Sequence, residues 1–247
     1  MSMADLLKKS LEAQRVQDPQ TAQATDGVNE AGVPKDYRAI VEQRERDKRT
    51  FVHKDEQKSI EKKEYDFSKV KSLSSKTLEA HVGLYENYVA RYNEVVILLK
   101  KASKDKSDAA FSQYAEVRRR YSFLWNAVCL HDLYFRNIGK AGVQDEVGDK
   151  IGWPNGSFEA WKQDFTACAM GTHGWVVLAK DADGDMVNFT MDDHQTGMIC
   201  SVTPILVLDA YEHAYWADFT GDKRQYVEKF FEDINWPEVA SRFENND

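Results

Sequence analysis

Asp209 and His213 stand four residues apart in Asp209-Ala210-Tyr211-Glu212-His213-Ala214-Tyr215, directly after the apolar run Pro204-Ile205-Leu206-Val207-Leu208. Where a strand gives way to a turn or helix, a carboxylate and an imidazole at this spacing can converge on one metal ion. The pair suits a first-row transition metal such as iron or manganese. Alone it is a weak signal. Two further histidines, His81 and His131, add weight because each lies within an apolar helical stripe elsewhere in the chain. Three imidazoles and one carboxylate fill four places of a five-coordinate site and leave one for water or hydroxide. They leave a trivalent ion with a charge of about +2, which draws a small anion and acidifies a bound water.

The elements that must position these residues can be read from hydropathy. Leu78, His81, Tyr85, Tyr88, Tyr92, Val95 and Leu99 recur at steps of three and four. Ala110, Tyr114, Val117, Tyr121, Leu124, Val128, His131, Phe135 and Ile138 do the same. Each set is one apolar stripe at the helical period. The lysine-rich stretch from Ser103 to Ser107 supplies a turn, so two antiparallel facing helices are expected, with both histidines on the inner faces. Glycines 139, 142, 148, 152 and 156 mark a long connection. Ser157 to Met170 reads as a helix capped by Ser157. Gly174 to Ala179 reads as a strand, Asp181 to Asp185 as a turn and Met186 to Thr190 as a second strand. Thr203 to Leu208, apolar throughout, is expected as the central strand. Helices over Asp222 to Ile234 and Trp236 to Phe243 close the chain.

The fold class is therefore α+β, with an N-terminal antiparallel long helical hairpin and a C-terminal α+β domain holding a small three-stranded antiparallel sheet. Residues 1–64 are expected as a disordered or loosely helical charged extension, 65–140 as the helical hairpin domain and 141–247 as the α+β domain.

Composition narrows the partners. The 247 residues carry a net charge of -8, which disfavours a broad nucleic-acid surface. Cys129, Cys168 and Cys200 lie far apart without a CxxC, as in a reducing compartment. No apolar stretch reaches the roughly 20 residues of a membrane span. No long apolar segment marks the N-terminus as a secretory signal, so a cytoplasmic location is expected.

From about Tyr65 to Phe243 the chain resembles the iron/manganese superoxide dismutases. The resemblance is carried by Lys76-Thr77-Leu78-Glu79-Ala80-His81 with Tyr88-Val89 downstream, Leu130-His131-Asp132-Leu133-Tyr134-Phe135 and Gly174-Trp175. It continues in Asp192-Asp193-His194-Gln195-Thr196, Asp209 to Tyr215, and Val227-Glu228 through Asn235-Trp236. The resemblance implies a superoxide dismutase holding one Fe or Mn ion per subunit, with His81, His131, Asp209 and His213 as metal ligands. Tyr88 would stand at the mouth of the substrate funnel, and its position two helical turns after His81 independently puts it on the same face.

The resemblance also makes His194 the residue that hydrogen-bonds the metal-bound solvent. Many relatives place a glutamine there, and Ala127, at the alternative helix position, cannot donate. Glu212 and Tyr215 resemble dimer-interface residues, Glu212 reaching His213 of the partner subunit, so a homodimer or a tetramer is implied. Tyr85, Lys223 and Trp175 would line the funnel.

The chain departs from the family in several places. Val82-Gly83-Leu84-Tyr85-Glu86-Asn87 lacks the usual histidines, and Tyr88 follows His81 by seven residues where eight is common. Tyr211, Phe135 and Val177 replace tryptophans, and Lys223 stands in for an arginine. Two other readings compete: a metal-binding family member with lost or altered turnover, and another mononuclear iron oxygen enzyme. Metal analysis together with a superoxide decay assay separates all three.

Overall fold

The computed structural model of the chain describes residues 58–105, 107–139 and 153–244. Residues 1–57 of the expected N-terminal extension, and glycines 142, 148 and 152 of the expected connection, lie outside the described residues.

Helix α1 (Ser75–Lys101) starts where the Ser74 hydroxyl accepts from the Thr77 N–H, and its last turn carries Lys100 and Lys101 against the negative dipole end. Helix α2 (Gln113–Asn137) is capped in the same way by Ser112 on the Ala115 N–H. The two stripes read from the sequence fall on the buried faces, except that Ala110 lies exposed ahead of α2. His81, Tyr85, Val89, Tyr92, Val96 and Leu99 of α1 meet Val117, Leu124, Val128, His131 and Phe135 of α2. Both histidines therefore point into the hairpin.

After a short 3-10 turn (Pro154–Gly156), helix α3 (Phe158–Gly171) begins at Ser157, whose hydroxyl accepts from the Ala160 N–H. Strands β1 (Trp175–Asp181), β2 (Met186–Met191) and β3 (Val202–Asp209) follow. They form one antiparallel sheet in the order β2-β1-β3. The central strand is β1, not β3 as its apolar run had implied. Helices cover β3 where a further strand would otherwise lie. Asn137 Nδ2 of α2 donates to the Val207 carbonyl at 2.6 Å, and the Arg242 guanidinium donates to the Ile205 carbonyl at 3.2 Å. Burial under helices makes a strand as apolar as burial between strands does.

The chain leaves β3 through a 3-10 turn (Glu212–Ala214) and the one-turn helix α4 (Trp216–Phe219). Helix α5 (Lys223–Asp233) is capped by Asp222 on the Gln225 N–H, and α6 (Trp236–Glu244) ends the described chain. The buried Asp233 carboxylate accepts the backbone N–H groups of Lys71 and Ser72, pinning the segment before α1 to the second half.

One aromatic core joins hairpin and sheet, with Trp161, Phe165, Trp175, Tyr134, Tyr226 and Phe230 essentially without solvent exposure. Each such side chain contributes about 2–3 kcal/mol of burial. Among the described residues no helix is long and apolar enough to cross a membrane.

Candidate metal centre

His81 comes from the second turn of α1, His131 from the C-terminal half of α2, Asp209 from the end of β3 and His213 from the 3-10 turn after it. One ligand atom from each lies within 4.8 Å of the others. Three imidazole nitrogens surround a single carboxylate oxygen. Asp209 Oδ2 is 3.0 Å from His81 Nε2, 3.1 Å from His213 Nε2 and 3.8 Å from His131 Nε2. Bonds of about 2 Å from donor to a first-row ion place two donors of one ion about 3–4 Å apart, so this spacing fits one ion.

His81 Nε2 and His213 Nε2 both lie within hydrogen-bond distance of Asp209 Oδ2, whereas the inward nitrogen of His131 is free. His131 Nδ1 sits 2.6 Å from the Ala127 carbonyl oxygen, which can only accept, so Nδ1 carries the proton. His131 Nε2 then keeps a lone pair, and it is buried with no hydrogen-bond partner. A buried polar atom so orphaned calls for a ligand. Asp209 Oδ1 accepts the Tyr211 N–H at 2.9 Å, which turns Oδ2 toward the histidines. Behind it, the Tyr226 hydroxyl donates to the Asp209 carbonyl at 2.8 Å. Its proton being used, Tyr226 accepts from the Tyr134 hydroxyl at 3.1 Å.

Burial and charge set the protonation states. Burial pushes the His131 imidazole down to about 3 and also lowers His81. Burial works to raise Asp209, but His213 and His81 outweigh it and hold the carboxyl well below the usual carboxylate range. His213 moves up, because Asp209 outweighs its burial. The centre thus offers one carboxylate and neutral imidazoles on the buried side. His213 differs in being open, with its side chain 33% exposed on the single chain.

His194 is buried beside these donors, although its loop between β2 and β3 is otherwise largely exposed. Trp175 Nε1–H donates to His194 Nδ1 at 2.9 Å. An indole nitrogen only donates, so Nδ1 must accept, and the neutral ring carries its proton on Nε2. That Nε2–H points at the Tyr88 hydroxyl oxygen, 3.2 Å away. Burial holds the imidazole at about 4, consistent with the neutral form. The Tyr88 ring lies 5.2 Å from His131, and burial raises its phenol. Tyr211 stacks on His213 at 5.3 Å and meets Trp175 edge-on at 6.1 Å.

The structure brings His81, His131, Asp209, His213, Tyr88, His194 and Trp175 together. It places the other candidate residues around this group. Tyr85 is buried, with its ring on Tyr65 and Phe135 and its hydroxyl accepting the Lys63 N–H. Lys223 Nζ donates to the Thr172 carbonyl at the end of α3, and burial lowers its ammonium. Tyr215 stacks on Tyr226 at 5.1 Å, while Glu212 is exposed beside it. Sequence reading missed the Tyr134–Tyr226 pair behind Asp209. The two residues lie 92 positions apart, so no local pattern links them.

Residues 143–242 match the family described as iron/manganese superoxide dismutases, C-terminal domain. The chain is 32% identical over 183 residues to a superoxide dismutase [Fe] of Aquifex pyrophilus, covering 71% of this chain and 86% of the relative. A superoxide dismutase [Fe] of Cupriavidus metallidurans is 33% identical over 185 residues, 91% of its length. A superoxide dismutase [Mn] 2 of Haloferax volcanii is 30% identical over 164 residues, 81% of its length.

Proposed function

This chain belongs to the iron/manganese superoxide dismutase family, and we propose from that premise that His81, His131, Asp209 and His213 hold its single iron or manganese ion. The carrying observation is the convergence of three imidazole nitrogens on one oxygen of a fully buried carboxylate. The reaction is the disproportionation of superoxide to dioxygen and hydrogen peroxide. When bound, the ion supplies the one-electron couple that superoxide reduces in one half-reaction and oxidises in the other.

The chain's own residues supply position, protons and exclusion. The Ala127 carbonyl fixes the His131 ring, and the Tyr211 N–H fixes the Asp209 carboxylate, so the donor set is preorganised. Tyr88 accepts the His194 Nε2–H on its oxygen, which leaves its own O–H free to donate a proton toward the substrate. His194, fixed by Trp175, stays neutral and keeps that donor pointed at Tyr88. The rings of Tyr88, Trp175, Tyr211 and Phe135 wall the centre and favour a small anion over larger ones. The net charge of -8 is spread over the molecule, and charges beyond about 10 Å are screened, so the ion's local positive field governs the approach.

We further propose that the chain works as a homodimer closed over Glu212, His213 and Tyr215. His213 is the one metal-ligand candidate that the single chain leaves open, and a partner subunit's carboxylate over it would cover its outer face. Three free cysteines fit a cytoplasmic setting.

Elemental analysis combined with decay of a superoxide pulse tests the activity. One ion per chain and decay faster than the uncatalysed rate are expected without organic co-substrate. His131→Ala should lose ion and activity together. A His131→Ala protein that kept both would refute the ligand assignment.

A further inference from the structure

The loop that presents His194 is gripped from two successive turns of α2, between Arg119 and Asn126. Asn126 Nδ2 donates to the His194 backbone carbonyl at 2.6 Å. The Phe123 ring packs against the His194 ring at 4.7 Å. Gln195 Nε2 reaches back to the Arg119 carbonyl and the Ser122 hydroxyl. The Asp193 carboxylate turns the loop by accepting the Gln195 and Thr196 N–H groups. Asn126 lies five residues before His131, and the Ala127 carbonyl next to it fixes His131 itself. One stretch of α2 thus sets both the His131 donor and the backbone from which His194 hangs.

We propose that Asn126 is a positioning residue for the dismutation reaction, acting through His194. The proposal rests on the reading that His194 and Tyr88 serve the metal centre. Three constraints are needed to aim a histidine carried on a loop, and each has a source. Trp175 fixes its Nδ1, Phe123 fixes its ring plane and Asn126 fixes its backbone. Asn126 is the only one of the three that ties the backbone carbonyl of His194 to the helix bearing His131. A glutamine on α2 would need no such tie, because the helix would carry it directly. A loop histidine opposite Ala127 does need one. Removing the amide donor leaves the carbonyl of a buried loop residue without its partner, and the Nε2–H loses its aim at Tyr88.

The test uses the metal-loaded full chain in a double-mutant cycle of Asn126→Ala and His194→Ala, with Asn126→Asp as a shape-preserving variant that lacks the amide donor. Metal content, superoxide decay and the midpoint potential of the bound ion are measured for each. Asn126→Ala and Asn126→Asp should hold the ion as wild type does. They should lower the rate about three- to tenfold, a loss of the size that one misaligned hydrogen bond gives. They should also shift the potential in the direction that His194→Ala shifts it. In the His194→Ala background, Asn126→Ala should change neither quantity further. Wild-type rate and potential in both Asn126 variants would overturn the proposal, and so would additive effects in the cycle. If His194→Ala itself leaves rate and potential unchanged, the reading of His194 fails instead, and the two failures are told apart by that single variant.

Discussion

At the residue scale, the centre depends on which nitrogen of each imidazole carries the proton. Ala127 settles this for His131 and Trp175 settles it for His194, each with a partner that has only one possible role. Both rings are neutral because burial disfavours the imidazolium, and this couples to stability. An unfolded histidine titrates near 6.5, whereas His194 titrates at about 4 in the fold. As pH falls between those values the unfolded chain takes up a proton that the folded chain refuses, so stability falls with pH. For His194 the loss comes to about 2 kcal/mol by a pH of about 5. Urea unfolding of chelator-treated protein should show a stability loss between neutral pH and a pH of about 5 that is smaller by about 2 kcal/mol in His194→Ala. Equal losses in the two proteins would contradict the neutral, buried assignment.

At the element scale, the sequence was legible where periodicity was strong and misleading where burial had two possible causes. The stripes of α1 and α2 reached the structure with His81 and His131 inside them, because a 3.6-residue repeat has one physical reading. The three-stranded antiparallel sheet was legible from its turns. The place of β3 within it was not, since an apolar run does not say whether a strand or a helix covers it. Asn137 and Arg242 of α2 and α6, more than 60 and 30 residues away in sequence, do the covering here. The loop of His194 depends on contacts that no local pattern reveals, Asn126 and Trp175 among them.

The loop also depends on Gly197, which adopts a positive φ of 96° and would bring a Cβ to 2.3 Å from the Thr190 carbonyl oxygen. Gly197→Ala should therefore cost about 1–3 kcal/mol of unfolding free energy. It should also slow superoxide decay by disturbing His194. Denaturant unfolding beside the decay assay checks both, and an unaltered midpoint with an unaltered rate would mean that the loop does not need this glycine.

At the scale of the whole molecule, the open face of His213 is the feature the single chain leaves unfinished. A third of its side chain meets solvent, next to the exposed Glu212 and the exposed Trp216. If two copies close over this face, Glu212→Ala should weaken the dimer and loosen the ion together. Sedimentation against concentration, with metal content measured on the same samples, should then show both losses. A variant that stays dimeric and fully loaded would place the interface elsewhere.

The central claim is that His81, His131, Asp209 and His213 surround one redox-active ion, and anomalous diffraction at the iron and manganese absorption edges tests it most directly. One peak is predicted per chain, about 2 Å from the three Nε2 atoms and from Asp209 Oδ2. A peak bound by other side chains, or none between these four in protein that still removes superoxide, would contradict the account.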